Sequence, residues 1–214
     1  MNIRFFFRKD RIKKKFTNIF YNNSFNGTAS VSGSGSDLTQ TQTIRIEIPK
    51  LLKKHNVNTF IDAPCGDFYW MQHIELDGIK YIGIDIVKKI IKNNNKKYKN
   101  TQKKFLCKNI ISDKLPKAEL ILIRDCWVHL SYADIFSCID NLKKNKIQYL
   151  LTTSFINLNL NKELDGIWRP LNLEIEPFNF PQPIQILNEN CTEDNGNYSD
   201  KSLLIWEISN LPKL

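Results

Sequence analysis

The spacing of apolar residues along the chain changes near residue 57. Before that point, four apolar residues recur at helical spacing, which predicts a helix that Asp37 can cap. Pro49 lies inside this pattern, so we expect it to kink or split the helix, because proline cannot donate the interior hydrogen bond. The four apolar positions are Ile44, Ile48, Leu51 and Leu52.

After residue 57, short apolar runs alternate with segments of helical character. This alternation is typical of a doubly wound parallel sheet. The predicted strands are residues 57–61, 80–84, 104–107, 120–123 and 149–153, and the predicted helices are residues 68–74, 87–98 and 132–144.

The last part of the chain departs from this alternation. Two further strand-like runs, residues 184–187 and 203–208, have Asn195 and Gly196 between them and no helix, which indicates an antiparallel hairpin with a long loop. The sequence therefore predicts an α/β fold with a doubly wound, mostly parallel, seven-stranded sheet that ends in an antiparallel C-terminal hairpin.

The first 36 residues differ in composition from the rest of the chain. Residues 1–22 are basic, and residues 22–36 are polar and small. Such a composition cannot bury a core, so we expect residues 22–36 to be a linker or a lid that orders over a ligand. We therefore divide the chain into a basic and polar N-terminal segment, residues 1–36, and a single domain, residues 37–214. A weak peripheral contact of the basic N-terminus with a membrane surface stays open.

Composition places the chain among soluble globular proteins. Of its 214 residues, 42% are hydrophobic and 25% are charged. Its most apolar stretch, residues 115–130, contains four charged residues, so we expect no transmembrane segment. The five cysteines show no C-x-x-C spacing, which argues against a disulfide framework or a zinc site and favours a reducing, cytoplasmic location. We expect no metal.

The formal net charge of +9 comes from two short runs. Residues 1–15 contribute +6 and residues 88–104 contribute +8, so the rest of the chain carries a net charge of −5. A nucleic-acid interface needs basic residues spread over a broad face and interleaved with aromatic ones. We therefore interpret the runs as solvated faces and expect a small-molecule substrate and no nucleic acid.

Polar residues follow the predicted strands. Asp62 ends the first strand, with Gly66 four residues later, and Asp85 ends the second. Open parallel sheets bind ligands at the carboxyl ends of their strands. An acid about 20 residues after the first turn is suited to accept hydrogen bonds from ribose hydroxyls. Asn109 follows the third strand, where its amide can pair with an adenine edge.

Three motifs carry a family resemblance. Residues 59–67 (TFIDAPCGD), 81–85 (YIGID) and 124–131 (RDCWVHLS) resemble those of class I S-adenosylmethionine (SAM)-dependent methyltransferases. The resemblance covers about residues 32–208 and implies a Rossmann-like methyltransferase fold. Within that superfamily the chain is most similar to small bacterial enzymes of surface-polysaccharide clusters, including those that O-methylate capsular phosphoramidate. Residues 32–36 and 168–172 also resemble elements of that subgroup.

The resemblance implies a cofactor site for SAM, with S-adenosylhomocysteine (SAH) as product. Two residues depart from the superfamily pattern, because Pro64 and Phe68 stand where glycines are usual. A third, Asn109, replaces an acid, so we expect somewhat weaker SAM binding. The residues assigned to the cofactor are Asp62, Cys65, Gly66, Asp67, Asp85, Ile86, Asn109, Ile110 and Arg124.

The same resemblance assigns the chemistry to the RDCWVHLS motif. We predict His129 and Asp125 as catalytic residues, with His129 as the general base because its ordinary pKa suits proton abstraction near neutrality. If the acceptor is already anionic, His129 orients it instead. Ser131 more simply caps the following helix with Asp134. The predicted substrate-binding residues are Arg45, Trp168, Arg169 and Asn172, and residues 168–183 form either an acceptor wall or plain packing.

These observations predict a SAM-dependent O-methyltransferase. The expected acceptor is a small polar molecule, such as a phosphoramidate or a nucleotide or sugar precursor in capsular polysaccharide modification. Two alternatives stay open: a nucleic-acid (RNA) methyltransferase guided by the two lysine-rich runs, and a methyltransferase-like ligand-binding protein without catalysis. A nicotinamide oxidoreductase is disfavoured, because no G-x-G-x-x-G follows the first strand.

Overall fold

A seven-stranded sheet forms the centre of the protein. The computed structural model describes residues 3–212, and side chains from residue 10 onward. Three consecutive phenylalanines of the basic N-terminus, residues 5–7, therefore lie outside the described side chains. The strand order is β3-β2-β1-β4-β5-β7-β6. Strands β1 to β5 pair in parallel, and β7 pairs antiparallel with both β5 and β6. The strands are β1 Thr59–Asp62, β2 Lys80–Asp85, β3 Lys103–Cys107, β4 Leu120–Ile123, β5 Tyr149–Phe155, β6 Gln185–Asn188 and β7 Lys201–Glu207.

Helices cover both faces of the sheet, which confirms the doubly wound plan. One hydrophobic cluster packs residues of α1 and α4 against the sheet, and a second packs residues of α2 and α3 against it. No helix within residues 3–212 is long and apolar enough to cross a bilayer. The helices are α1 Ile3–Tyr21, α2 Gln42–Lys54, α3 Lys88–Tyr98 and α4 Tyr132–Lys144.

The predicted helix at residues 68–74 is wrong. Only a short 3₁₀ turn, Met71–His73, forms there. Phe68 has a φ of +64°, a left-handed conformation from which a right-handed helix cannot continue. Its ring is buried against Tyr81 and Phe105, so the chain keeps a glycine-like backbone at this position and gains a core side chain.

The beginning of α2 also differs from the prediction. Thr41, not Asp37, precedes the first turn, and Asp37 instead accepts the Thr41 N–H and hydroxyl at its main-chain carbonyl. Pro49 lies inside a continuous helix and does not split it. The four apolar residues predicted to face the core are buried, so their packing outweighs the hydrogen bond that proline lacks.

At the start of α4 the sequence prediction is confirmed. Ser131 Oγ accepts the main-chain N–H of Asp134 at 3.3 Å, which satisfies one of the helix's free donors. The 3₁₀ turn Trp127–His129 lies directly before this cap, separated from it by the extended Leu130. His129 thus lies in the short segment that joins the carboxyl end of β4 to α4.

Candidate active site

A cavity, called here the inner cavity, lies at the carboxyl ends of β1, β2 and β4. Both predicted catalytic residues, Asp125 and His129, line it. All of the predicted cofactor residues line it as well, so one cavity brings together the three motifs and the residues that follow β2 and β3. Those residues are Asp62, Cys65, Gly66, Asp67, Asp85, Ile86, Asn109, Ile110 and Arg124.

The turn after β1 is tied to the end of β2 through Asp85. One carboxylate oxygen of Asp85 accepts the Gly66 N–H at 3.2 Å, and the other accepts the Val87 N–H at 2.8 Å. Gly66 has a φ of +51°, and a Cβ placed on it would lie 2.2 Å from Ser32 Oγ. Both the left-handed backbone and the close approach of Ser32 therefore favour glycine at this position.

Two carboxyl groups are buried side by side in the inner cavity. Burial raises the pKa of Asp62 to about 7, although the Tyr81 hydroxyl donates to Asp62 Oδ2 at 2.6 Å and opposes this shift. Burial also raises the pKa of Asp85 to about 6. Buried carboxyl groups with raised pKa values are concentrated at functional sites, because a fold retains such a cost where a ligand uses it.

Replacing Asp62 with asparagine should change the pH dependence of stability. The folded protein binds the Asp62 proton more tightly than the unfolded chain, whose pKa is near 3.8, so wild type loses stability as pH rises from about 4 to about 7. An asparagine side chain does not titrate and can still accept from Tyr81. We expect urea unfolding to show Asp62→Asn gaining on wild type between pH 5 and 8, by up to about 1.4 kcal/mol per pH unit. The exposed Asp77→Asn is the control, and a difference from wild type that is the same at pH 5 and pH 8 would contradict the prediction.

The polar N-terminal segment lies against the inner cavity. Asp67 accepts the Ser30 hydroxyl at 2.9 Å and the Val31 N–H at 3.0 Å, and Arg124 Nη2 donates to the Gly35 carbonyl at 2.8 Å. Apolar residues of α1 complete this side of the cavity. They are Ile12, Phe16, Ile19 and Phe20. The placement suits a cover over a ligand, and its opening and closing stay a prediction.

The side-chain oxygen of Asn109 accepts a hydrogen bond within its own turn. Oδ1 accepts the Ile111 N–H at 2.9 Å, while the Asn109 N–H donates to Asp113 at 2.9 Å. A carbonyl oxygen has two lone pairs, so Oδ1 retains the capacity for a second donor such as an adenine amino group.

His129 is held in a defined orientation at the rim of the cavity. Its Nδ1 contacts the main-chain carbonyl of Ile167, and its ring lies 4.9 Å from that of Phe25, centroid to centroid. Since a carbonyl only accepts hydrogen bonds, Nδ1 carries the proton and the neutral ring has its lone pair on Nε2. Burial lowers the pKa of His129, and the Ile167 contact opposes this only in part. At neutral pH the ring is therefore a base.

A buried ionic network next to His129 was missed in the sequence. Arg124 Nη2 lies 2.6 Å from Glu189 Oε2, and Lys201 Nζ lies 2.6 Å from Asp125 Oδ2. The side chains of Arg124, Lys201 and Glu189 are only 6%, 6% and 1% exposed. Burial alone would raise the pKa of Asp125, but Lys201 and Arg124 outweigh it and hold that pKa below its ordinary value.

No local signal marks Glu189 or Lys201 as site residues. Glu189 follows β6 and Lys201 begins β7, so both reach β4 only because β7 pairs with β5. The sequence motif that contains Arg124 and Asp125 does not indicate that they pair with residues of the C-terminal hairpin. The network leaves Asp125 ionised and fixed beside the cavity.

A second cavity, called here the outer cavity, adjoins the first. The two cavities share Phe25, Ser32, Asp125 and His129. Of the predicted substrate-binding residues, Trp168 lines the outer cavity. Its other side chains include Gln40, Phe155, Glu193, Asp194, Tyr198 and Lys201.

The other three predicted substrate-binding residues lie outside the lining of both cavities. Arg169 donates to the carbonyls of Val128 and Leu130 at 3.1 and 2.8 Å, so it braces the turn that carries His129. Asn172 Nδ2 donates to the Leu158 carbonyl at 3.0 Å. Arg45 Nη2 donates to the Leu38 carbonyl at 2.9 Å. These contacts are structural, because each uses a main-chain carbonyl of the protein itself.

Residues 168–183 were expected to form either an acceptor wall or plain packing, and they contain both a cavity-lining side chain and core side chains. Trp168 forms part of a cavity wall, whereas Leu171, Leu173, Phe178 and Phe180 are buried in the core. Within residues 10–212 no cluster of three or more histidine, cysteine or acidic side chains is arranged to hold a metal ion.

Comparison with known proteins assigns the fold. No family model matches the chain, and no curated protein matches it in sequence. Among solved structures, magnesium protoporphyrin IX methyltransferase from Synechocystis PCC 6803 with bound SAH superposes with a TM-score of 0.62 at 11% identity, covering 93% of this chain and 99% of that one. The fold is that of SAM-dependent methyltransferases.

Two further solved structures of methyltransferases superpose on the same fold. The N-methyltransferase NodS from Bradyrhizobium japonicum WM9 superposes with a TM-score of 0.57 at 11% identity, over 80% of this chain and 98% of that one. Human N-acetylserotonin methyltransferase in complex with SAM gives a TM-score of 0.53 at 10% identity, over 82% of this chain. The match spans 55% of the human chain. At such identities the likeness establishes the fold, and the chemistry has to be argued from this chain's own residues.

Proposed function

We propose that the protein transfers a methyl group from SAM to an oxygen of a small polar acceptor. The observation that carries this proposal is the position of Asp85, a buried carboxylate at the carboxyl end of β2 that also lines the inner cavity. In an open parallel sheet this is where a nucleoside's ribose is recognised.

The side chains around the inner cavity fit such a cofactor. Asp85 and Asp62 supply acceptors for hydroxyl and ammonium donors, and the Gly66 turn brings main-chain groups close to the ligand. Ile86 and Ile110 supply apolar contacts for a flat base. When bound, SAM supplies the methyl group on a positively charged sulfur, and the protein's task is alignment and removal of the acceptor's proton.

His129 and Asp125 are suited to that task. His129 is uncharged at neutral pH with its lone pair on Nε2, so it can accept a proton from a hydroxyl group. Asp125 is ionised by Lys201 and Arg124, and its negative charge favours the protonated form of His129. Both residues line the inner and the outer cavity, so both stand between cofactor and acceptor.

For the acceptor we propose a phosphoramidate or a nucleotide or sugar precursor of capsular polysaccharide. Its support is the similarity of residues 32–36 and 168–172 to the surface-polysaccharide subgroup. We propose a small molecule rather than a nucleic acid, because the described lining of the two cavities includes no lysine of the 88–104 run. Seven lysines of that run are exposed on α3, β3 and the segment between them, as expected of a solvated face.

Calorimetric titration with SAH tests this function. We expect SAH to bind with a dissociation constant of about micromolar order, and NAD, the control, not to bind. An inner cavity that binds neither ligand would refute the cofactor assignment. Binding of SAH without turnover on any glycan precursor would favour the ligand-binding alternative, and salt-sensitive binding of RNA or DNA would favour the nucleic-acid methyltransferase.

A further inference from the structure

Three aromatic side chains form a continuous wall in the outer cavity. The rings of Phe155, Trp168 and Tyr198 contact one another edge to face, with centroids 5.9, 5.7 and 5.1 Å apart. Rings this close leave no space between them for a cation, so they do not form an aromatic cage for an ammonium group. They offer one apolar surface, with Trp168 and Tyr198 partly exposed over the buried Phe155.

The charged groups of the outer cavity carry a net negative charge. Asp125, Glu193 and Asp194 face it, while Lys201 is its only lining lysine or arginine among the described residues. Lys201 is already engaged, at 2.6 Å from Asp125 and 3.7 Å from Glu193. Burial lowers the pKa of His129 and keeps its ring neutral at pH 7. An anionic group entering this cavity would meet repulsion and no uncommitted cation.

An apolar wall beside polar groups suits a neutral, hydroxylated ring. A sugar ring presents C–H groups on its faces and hydroxyls at its edge. The C–H face can pack on Trp168 and Tyr198, while the hydroxyls can donate to the Asp125 carboxylate and exchange hydrogen bonds with the Gln40 amide. A ligand that matches both parts of the site buries apolar area without leaving polar groups unpaired.

We infer that the outer cavity is the acceptor site and that it binds an uncharged sugar ring. The inference rests on the proposed methyl transfer only where it calls this cavity the acceptor site. That the cavity binds a sugar ring is argued from its own residues. It selects the sugar precursor over the phosphoramidate among the acceptors proposed above. His129, on the border of the two cavities, is then adjacent to a hydroxyl of the bound ring.

Saturation-transfer NMR on the full chain tests the inference. The probes are methyl β-D-glucopyranoside and methyl β-D-galactopyranoside at millimolar concentration, with methyl phosphate as the anionic probe, each with and without SAH. We expect saturation of the ring C–H protons of at least one glycoside and none of methyl phosphate. Trp168→Ala should weaken glycoside binding about tenfold, and Trp168→Phe should retain most of it, since an aromatic face remains.

Leu160→Ala is the matched control, because Leu160 is 67% exposed and lines neither cavity. SAH binding in each variant reports whether the fold is intact. The inference is overturned if neither glycoside binds, if Trp168→Ala binds as well as wild type, or if methyl phosphate binds in their place. Glycoside binding without SAH binding would overturn the proposed function and leave the sugar site standing. SAH binding without glycoside binding would do the reverse.

Discussion

Replacing Asp85 with alanine should weaken SAH binding by about 5- to 150-fold. Loss of a buried acceptor leaves its donors unpaired at a cost of about 1–3 kcal/mol, which converts to that range. For binding the donor that counts is a ribose hydroxyl, because the N–H groups of Gly66 and Val87, which Asp85 accepts at 3.2 and 2.8 Å, lose their acceptor with and without ligand and so lower stability instead. The measurement is calorimetric titration of the variant and wild type at a pH of about 7.5, where the Asp85 carboxyl group is ionised.

A pH series adds a second readout for Asp85. The pKa of its carboxyl group is raised by burial to about 6, and the ionised form is the stronger hydrogen-bond acceptor. The affinity of wild type for SAH should therefore fall as pH drops through about 6, and it should fall less steeply in Asp85→Ala, where only Asp62, with a pKa of about 7, still titrates among the two buried acids. Asp77→Ala, which removes an exposed acid shortly before β2, is the control and should bind as wild type does. Unchanged affinity in Asp85→Ala would remove the ribose assignment.

Replacing Glu189 with alanine should destabilise the protein by about 3–5 kcal/mol, the cost of breaking a buried ion pair. The change leaves Arg124, whose side chain is 6% exposed, without the carboxylate that its guanidinium contacts at 2.6 Å. The cost is high because Arg124 is buried and its remaining carboxylate partner, Asp125, is more distant, at 3.3 Å, and is shared with Lys201. Urea unfolding gives the difference in the free energy of unfolding directly.

The exposed pair of Lys50 and Glu47 provides the comparison. Its charged atoms are 2.7 Å apart, almost as close as those of the buried pair, but the Lys50 side chain is 65% exposed. Lys50→Ala should cost at most about 1 kcal/mol, since water replaces the lost partner. If Glu189→Ala and Lys50→Ala cost the same, the ionic network is not the structural element that we describe, and Asp125 would have to be held by other contacts.

Local patterns along the chain were sufficient to predict most of the fold. Strand β4 and helix α4 have the bounds that periodicity predicted, and the antiparallel C-terminal hairpin is confirmed. Apolar periodicity and capping act between neighbours in sequence, so they can be read without knowing the fold. The exceptions are local conflicts: Phe68 in a left-handed conformation where a helix was predicted, and Pro49 within an unbroken helix.

The position of the inner cavity was also predictable, because parallel strands place their carboxyl ends at one edge. Asp62, Asp85 and Arg124 meet there although they are far apart in sequence. Which of the predicted substrate residues face a cavity was not predictable. Trp168 does, and Arg169, the next residue, turns inward to hold the carbonyls around His129. That choice depends on which face of a loop the rest of the protein covers.

The amino-acid sequence by itself therefore determined most of the strands and helices and the acids at the strand ends, because each depends on residues close in the chain. Only the tertiary structure decided the surroundings of those acids. It brought Glu189 and Lys201 from the C-terminal hairpin to Arg124 and Asp125, and it laid Ser32 over the Gly66 turn. Such contacts join residues tens of positions apart, and their energies depend on burial, which exists only once the chain has folded.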